Sequence, residues 1–446
     1  MDNLITKIRP SQELQDKITL WLNHLLVVYA FLIPIHNKSK GSLFFVMLIL
    51  FLYRMNFMKY LKDALSNKIV QAFIAFYLIW LFGFIYSDNL IYAKDSISKA
   101  KFLLFPLLFL SFLDKRFTFR VVSAFVLGML FSELVSYGIR FELLPHALYI
   151  QSYEIYKTVL SDPSPFFKHT DHNVGLAIVV ALLLYQLLNK KISTNLKIIS
   201  IFFMTTATIN MSFIGSRTGY ILYIFLILLV LCITYKKNLK KAILIGLIII
   251  VPIAYLAYNY SSMINHRVNL TLVSLGKVLN DDNYNSSVGL RLGFTKYSLK
   301  VIKDNPILGV GTGDYMDEVR AIIPEKHKYI ANPTLIAQPH NVYIKTLLQF
   351  GIVGLLSLLF IFYRLFTYKD CDEYNKGVII ILTSAVMLFM LPGKFYGYFI
   401  LPMFVTLISA MITQKQRDID YKDIDIKTLS AYAFITLLFL TIGITK

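Results

Sequence analysis

Apolar runs of about the length that crosses a bilayer, roughly 20 residues, recur along most of this chain, and no other feature constrains its fold as much. They lie near 20–36, 41–56, 68–87, 99–113, 119–139, 172–189, 196–213, 217–235, 241–258, 341–366, 377–391, 396–413 and 428–445. Only helices and closed barrels satisfy their own backbone hydrogen bonds in lipid, and runs of this length specify helices. The expected fold class is therefore an all-α polytopic membrane protein with about 12–13 transmembrane helices. Composition agrees. Of 446 residues, 57% are hydrophobic and 16% charged, against about 25% charged in soluble domains. A soluble two-domain enzyme and a disordered chain are both excluded.

The formal net charge of +19 is explained by topology. Lys and Arg fall in short clusters between apolar runs, as in Lys236, Lys237, Lys240 and Lys241, the pattern of cytoplasmic loops. Their alternation puts the N-terminus inside. With no basic-aromatic domain to host nucleic acid, no such partner is expected. Residues 1–17 are polar and lack a cleavage site, so a signal peptide is not expected. Cys232 and Cys371 are too few for a disulfide framework or a zinc site.

Two outer segments are long enough to be more than connectors: 140–171, and 259–339 between two blocks of closely spaced spans. Long connections in compact folds are usually functional. The chain is thus divided into N-terminal spans (1–258), an outer loop region (259–340) and C-terminal spans (341–446). Within the loop, 290–303 has helical periodicity and is expected to lie on the membrane boundary. Asn305-Pro306 should end it, and the glycines of 309–313 form a tight loop. That run lacks the Gly-Lys-Ser/Thr of a P-loop.

Three polar motifs stand at the outer rim. Gly215-Ser216-Arg217-Thr218-Gly219 opens a span, where glycines and small hydroxyls let an oxyanion reach amides at the positive end of a helix. An arginine snorkelling to headgroups is the plainer explanation of Arg217 by position alone. Arg291, in Gly289-Leu290-Arg291-Leu292, offers a planar fork suited to phosphate, or merely a solvated face. His340, in Gln338-Pro339-His340-Asn341, precedes a span; it suits a general base for a sugar hydroxyl, or else caps the helix. Ser216 and Asn341 stand beside these residues as substrate-binding candidates. His169, Asp171 and His172 are too few for a metal site, and no metal is expected. Glu133 is an intramembrane carboxylate near the outer end of its span, more simply a polar helix contact.

The order of these signals resembles the O-antigen ligase superfamily of bacterial inner-membrane glycosyltransferases. It is carried by Gly-Ser-Arg-Thr-Gly at 215–219, a long loop with Arg291 and Asn305-Pro306-Ile307-Leu308-Gly309-Val310-Gly311, then Pro339-His340-Asn341 and Gln349-Phe350-Gly351-Ile352-Val353-Gly354. The resemblance covers about 210–355 and implies a GT-C-like fold in the inner membrane, with its active site facing the periplasm. It further implies an undecaprenyl-diphosphate-linked glycan as donor, with no cofactor. Arg217 and Arg291 would hold the diphosphate, and His340 would position or deprotonate the acceptor hydroxyl. The Pro-His-Asn arrangement is closer to the ligase branch, whose acceptor is a lipid A-core sugar. The alternative is an O-antigen polymerase joining lipid-linked repeat units. A protein O-oligosaccharyltransferase is less favoured because that branch usually has a larger periplasmic region after its last spans. A lipid-linked oligosaccharide flippase should place polar groups at the midplane rather than the rim.

Overall fold

The computed structural model describes residues 10–150, 153–332 and 339–445; Gln338 and residues 1–9 lie outside them. Within the described residues the chain is helical except for one antiparallel ribbon, Ala147–Ile150 with Tyr153–Lys157, in the first long outer segment. Seven helices are long and apolar enough to cross a membrane, or eight if the bent pair Asn37–Tyr53 and Phe57–Leu65 is one span. The protein is an all-α, multi-pass membrane protein.

The twelve or thirteen apolar runs thus include several that are not full-length spans. The 99–113 run breaks at the 3₁₀ turn Lys101–Leu104, before the short helix Phe105–Phe112. The 396–413 run is the 13-residue helix Ile400–Ile412, all of whose residues are buried. Its hydrophobicity belongs to the centre of the bundle rather than to lipid. A helix apolar on every face is expected in either place, so periodicity cannot separate them.

Around that centre, the helix Arg217–Thr234 packs on His169–Asn189, Val342–Phe366 packs on Lys68–Ile85, and Gln12–Leu32 packs on Thr118–Arg140. Close approach of the first pair needs Gly219, where an added Cβ would sit 2.5 Å from Cβ of Asn173. Asn173 also donates from Nδ2 to the carbonyls of Met211 and Ile214, at 3.3 and 3.2 Å. The turn that precedes Arg217 is thereby fastened to a neighbouring helix.

The long outer segment builds its own small core. It contains the helices Ser262–Asp281, Ser287–Asp304 and Tyr315–Ala321 and the 3₁₀ turn Glu325–Ala331. The periodicity of 290–303 is used inside the protein: Phe294, Tyr297 and Val301 are buried with Tyr315, Met316 and Ile330. The apolar face expected to rest on lipid is covered by the segment's own residues.

One strap joins this region to the bundle. The helix Val342–Phe366 is broken at Gly351, where φ is 58° and ψ −154°, a region open in practice only to glycine. The freed amides are taken by the segment after Asn305: Ile352 N–H donates to Pro306 O at 2.9 Å, and Val353 N–H to Ile307 O at 3.4 Å. In return Val310 N–H donates to Leu348 O at 2.8 Å, and Gly311 N–H to Gln349 O at 3.0 Å. The following residues reach the helix Lys68–Ile85, with Thr312 Oγ1 donating to Trp80 O at 2.9 Å and Thr312 N–H to Gly83 O at 3.1 Å. A Cβ at Gly351 would fall 2.2 Å from the Ile307 carbonyl oxygen. Gly351→Ala should therefore cost at least about 1–3 kcal/mol, read as a lowered Tm of the detergent-solubilised protein. An unchanged Tm would contradict this account of the strap.

Candidate functional site

At the end of the bundle that carries the long segments, a cavity of about 420 Å³ opens among six pieces of chain. Its walls include Lys168 to Asp171, Thr218, Arg291, His340 and Lys394. Each piece is held for a local reason. The helix beginning at Arg217 is capped by Ser216, whose Oγ accepts from Gly219 N–H at 3.2 Å. Arg291 lies in the second turn of Ser287–Asp304, whose Ser286 cap accepts from Gly289 N–H at 2.9 Å. His340 precedes Asn341, whose Oδ1 accepts from Ile344 N–H at 3.1 Å and caps Val342–Phe366. Val342 N–H also donates to Met390 O at 2.9 Å, which brings His340 beside the loop that bears Lys394.

Arg291 and His340 thus face one cavity, and Arg217 stands behind its Thr218 wall. Arg217 does not reach away to headgroups. Its Nη1 donates to Thr271 Oγ1 at 2.8 Å and its Nη2 to Ser287 Oγ at 3.4 Å, which places it within the electrostatic reach of Arg291. Hydroxyls orient a guanidinium without neutralising it. Among the described residues, neither Arg217, Arg291 nor Lys394 has a carboxylate within 4.0 Å. Ser216 is 2% exposed and Asn341 is engaged as a cap, so both act here on the backbone.

His169 and His172 point to different partners. His169 Nδ1 lies 3.7 Å from Asp162 Oδ2, whereas His172 is buried between Ser132 and Asn210, each at 3.2 Å. Among the described residues no group of three metal-ligating side chains forms. Glu133 is buried in Thr118–Arg140 and is absent from the cavity wall.

The electrostatics are strongly one-sided. Burial holds the His340 imidazole down at about 4, helped by the nearby charges of Arg291, Lys394 and Lys168. Burial also lowers Arg291, with Arg217 adding to it, and lowers Lys394, where Lys168, Lys99 and Arg291 add and Asp171 opposes. His340 is thus neutral at physiological pH, with a lone pair free to accept a proton. Clustered cations short of counter-charge mark a site built for an anion, since unpaired buried charge is costly.

Residues 199–359 match the family model described as O-antigen ligase. This region belongs to the O-antigen ligase and polymerase superfamily. The matched stretch contains Arg217, Arg291 and His340. An uncharacterized protein of Haemophilus influenzae is 31% identical over 166 residues, 36% of this chain and 41% of that protein; the chain thus spans well under half the length of that relative.

Several residues of the O-antigen ligase region and its surroundings escaped sequence reasoning. Arg267 packs against Gly215, where a Cβ would lie 2.8 Å from its guanidinium. Lys168 and Lys394 looked like ordinary loop lysines. Lys345 lines the cavity although it stands in an apolar run, and a lone cation in such a run was the available signal. Because Arg291 disfavours protonation of His340, Arg291→Gln should raise the imidazole pKa from about 4 toward the ordinary 6.5. An NMR titration of ¹³C-histidine-labelled protein, assigned with His340→Gln, reads this directly. Titration of wild-type His340 near 6.5 would refute it.

Proposed function

We propose that the protein is an O-antigen ligase-type glycosyltransferase of the bacterial inner membrane. It moves a glycan from undecaprenyl diphosphate onto a lipid A-core sugar hydroxyl at the periplasmic face. The observation that carries the reading is the joint placement of Arg291 and a neutral His340 on one cationic cavity at the bundle rim, with Arg217 just behind it.

In the proposed reaction the acceptor hydroxyl attacks the anomeric carbon of the donor, and the bond from that carbon to the diphosphate oxygen breaks. The hydroxyl proton passes to His340. The leaving diphosphate gains negative charge, which Arg217 and Arg291 meet with fixed positive charge in a site shielded from water. These side chains supply the charge stabilisation that divalent metal gives many phosphate leaving groups, so activity should survive EDTA. The hydrocarbon tail has an accommodating surface nearby. A groove of about 760 Å³ between the helices Thr194–Phe213, Arg217–Thr234 and Leu239–Tyr260 is lined largely by apolar side chains such as Ile201, Ile227 and Ile253. Ser261 and Met263 stand at its rim, and Met263 also touches Gly215.

A deletion strain provides the test, with a lipopolysaccharide gel read beside an extract of undecaprenyl-linked glycans. Long polymer stranded on the carrier, with bare lipid A-core on the gel, is the expected result. Core capped by a single repeat would assign the protein to the polymerases, and an unchanged gel would overturn both readings. Complementation with Arg217→Ala, Arg291→Ala or His340→Ala should each fail at normal protein level, by at least about a hundredfold in transfer. Arg217→Lys should fail as well, because an ammonium lacks the bidentate fork. Full transfer by either arginine-to-alanine variant would remove the diphosphate clamp.

A further inference from the structure

The cavity has a second wing that this reaction scheme leaves unused. Its wall is the helix Leu90–Ala100, from which Tyr92, Asp95, Ser96 and Lys99 line the space, together with Lys345 and Tyr396. Tyr92, Ser96 and Lys99 stand four and three residues apart, so they share one helical face. We propose that this wing is the acceptor subsite, and that it takes a glycan bearing an anionic group which Lys345 meets. The inference rests on the glycosyltransferase reading and extends it to the second substrate.

Lys345 carries the argument. It is 6% exposed, lines the cavity, and its ammonium makes no hydrogen bond or ion pair among the described residues. Three aromatic rings surround its ammonium, with centroids at 5.7 Å for Trp80, 5.2 Å for Tyr315 and 5.5 Å for Tyr396. Cation–π contacts keep such a charge tolerable, but they supply no hydrogen-bond acceptor for its three N–H groups. The charges acting on it are Lys99 and Lys394, which repel it, and Asp95, which attracts it. Asp95 is already paired with Lys99 at 2.6 Å. A lysine serving only the fold would not need two further cations beside it on a ligand-sized space. The excess charge fits an anion distinct from the diphosphate, since neither Arg291 nor Arg217 is among the charges that act on Lys345.

The remaining groups suit a sugar. Tyr92 and Tyr398 line the space and can meet the apolar face of a pyranose, while Asp95 and Ser96 can bond its hydroxyls. The wing is also held firmly. Asp314, at the end of the glycine-rich strap, accepts from Asp88 N–H at 3.1 Å and Asn89 N–H at 2.7 Å. Asn89 Oδ1 caps the helix by accepting from Tyr92 N–H at 3.1 Å. The hydroxyls of Tyr92 and Tyr315 lie 3.0 Å apart. Preorganised elements of this kind lose little freedom when a ligand binds.

The test uses full-length protein in nanodiscs, with undecaprenyl-diphosphate-linked glycan as donor and lipopolysaccharide from the deletion strain as acceptor. Undecaprenyl diphosphate alone serves as the probe of the donor half, by thermal shift. Lys345→Met keeps the stem and removes the charge; Lys99→Gln, at a partly exposed position, leaves Asp95 unpaired against the anion and is the second variant should the first fail to fold. Each should raise the acceptor KM by roughly tenfold or more, leaving the donor KM and the thermal shift unchanged. For wild type, removing the acceptor's phosphates with phosphatase, or its uronic carboxylates by reduction, identifies the anion, and Lys345→Met should be insensitive to the treatment that matters. An unchanged acceptor KM in both variants, or an equal rise in donor KM, would overturn the proposal. Wild-type protein giving neither thermal shift nor transfer would instead fail the glycosyltransferase reading itself.

Discussion

The interlock between segment 305–313 and the break at Gly351 is the constraint on which the rest of the outer architecture depends. A span that loses its own hydrogen bonds at one point would leave amides unsatisfied in an apolar setting, at a cost of several kcal/mol each. The protein fills the gap with backbone from the outer segment, through Pro306, Ile307, Val310 and Gly311. The same strap continues to Thr312 on Trp80 and to Asp314 on the start of Leu90–Ala100. Arg291 lies before the strap in sequence and His340 after it. Fixing the strap to two spans therefore sets how the helix bearing Arg291 stands relative to the helix that His340 precedes. The Asn-Pro-Ile-Leu-Gly-Val-Gly and Gln-Phe-Gly-Ile-Val-Gly motifs are two halves of one joint.

Upon that joint the molecule assembles cations and withholds counter-charge. Such an arrangement opposes stability, because burial and mutual repulsion both disfavour the charged forms. Backbone caps, hydroxyls and aromatic rings hold the side chains in place without neutralising them: Thr271 and Ser287 on Arg217, and three rings about Lys345. A local conflict of that kind, set among well-satisfied structural elements, is characteristic of a site whose missing partner is a ligand. The lowered basicity of His340 comes first from burial, with the same field adding to it, and an anion seated among those cations would relieve the Coulombic part.

Much of this was legible in the sequence. Helical class and membrane residence follow from apolar runs alone, since the requirement for internal hydrogen bonding leaves no other solution. Arg217, Arg291 and His340 could be named because each is a polar residue beside a helix start or glycine, in an order that a family shares. The number of full-length spans was not legible: Ile400–Ile412 is as apolar as a lipid-facing helix, yet it is buried on all sides by other helices. Nor was the fate of the 290–303 face, because the same stripe serves equally for lipid and for a small protein core.

Sequence by itself thus determined the class of fold, the end of the bundle where polar groups collect and the three residues with the strongest chemical character. Only the tertiary structure decided which of those groups share a cavity, that Ser216 and Asn341 serve as caps, and that Arg267, Lys168, Lys394 and Lys345 join the charge cluster. The physical reason lies in range. Hydrophobic periodicity and capping act over a few residues and are written locally. The field at His340 is the sum over side chains from distant parts of the chain, which only the packing of the helices brings within reach of one another.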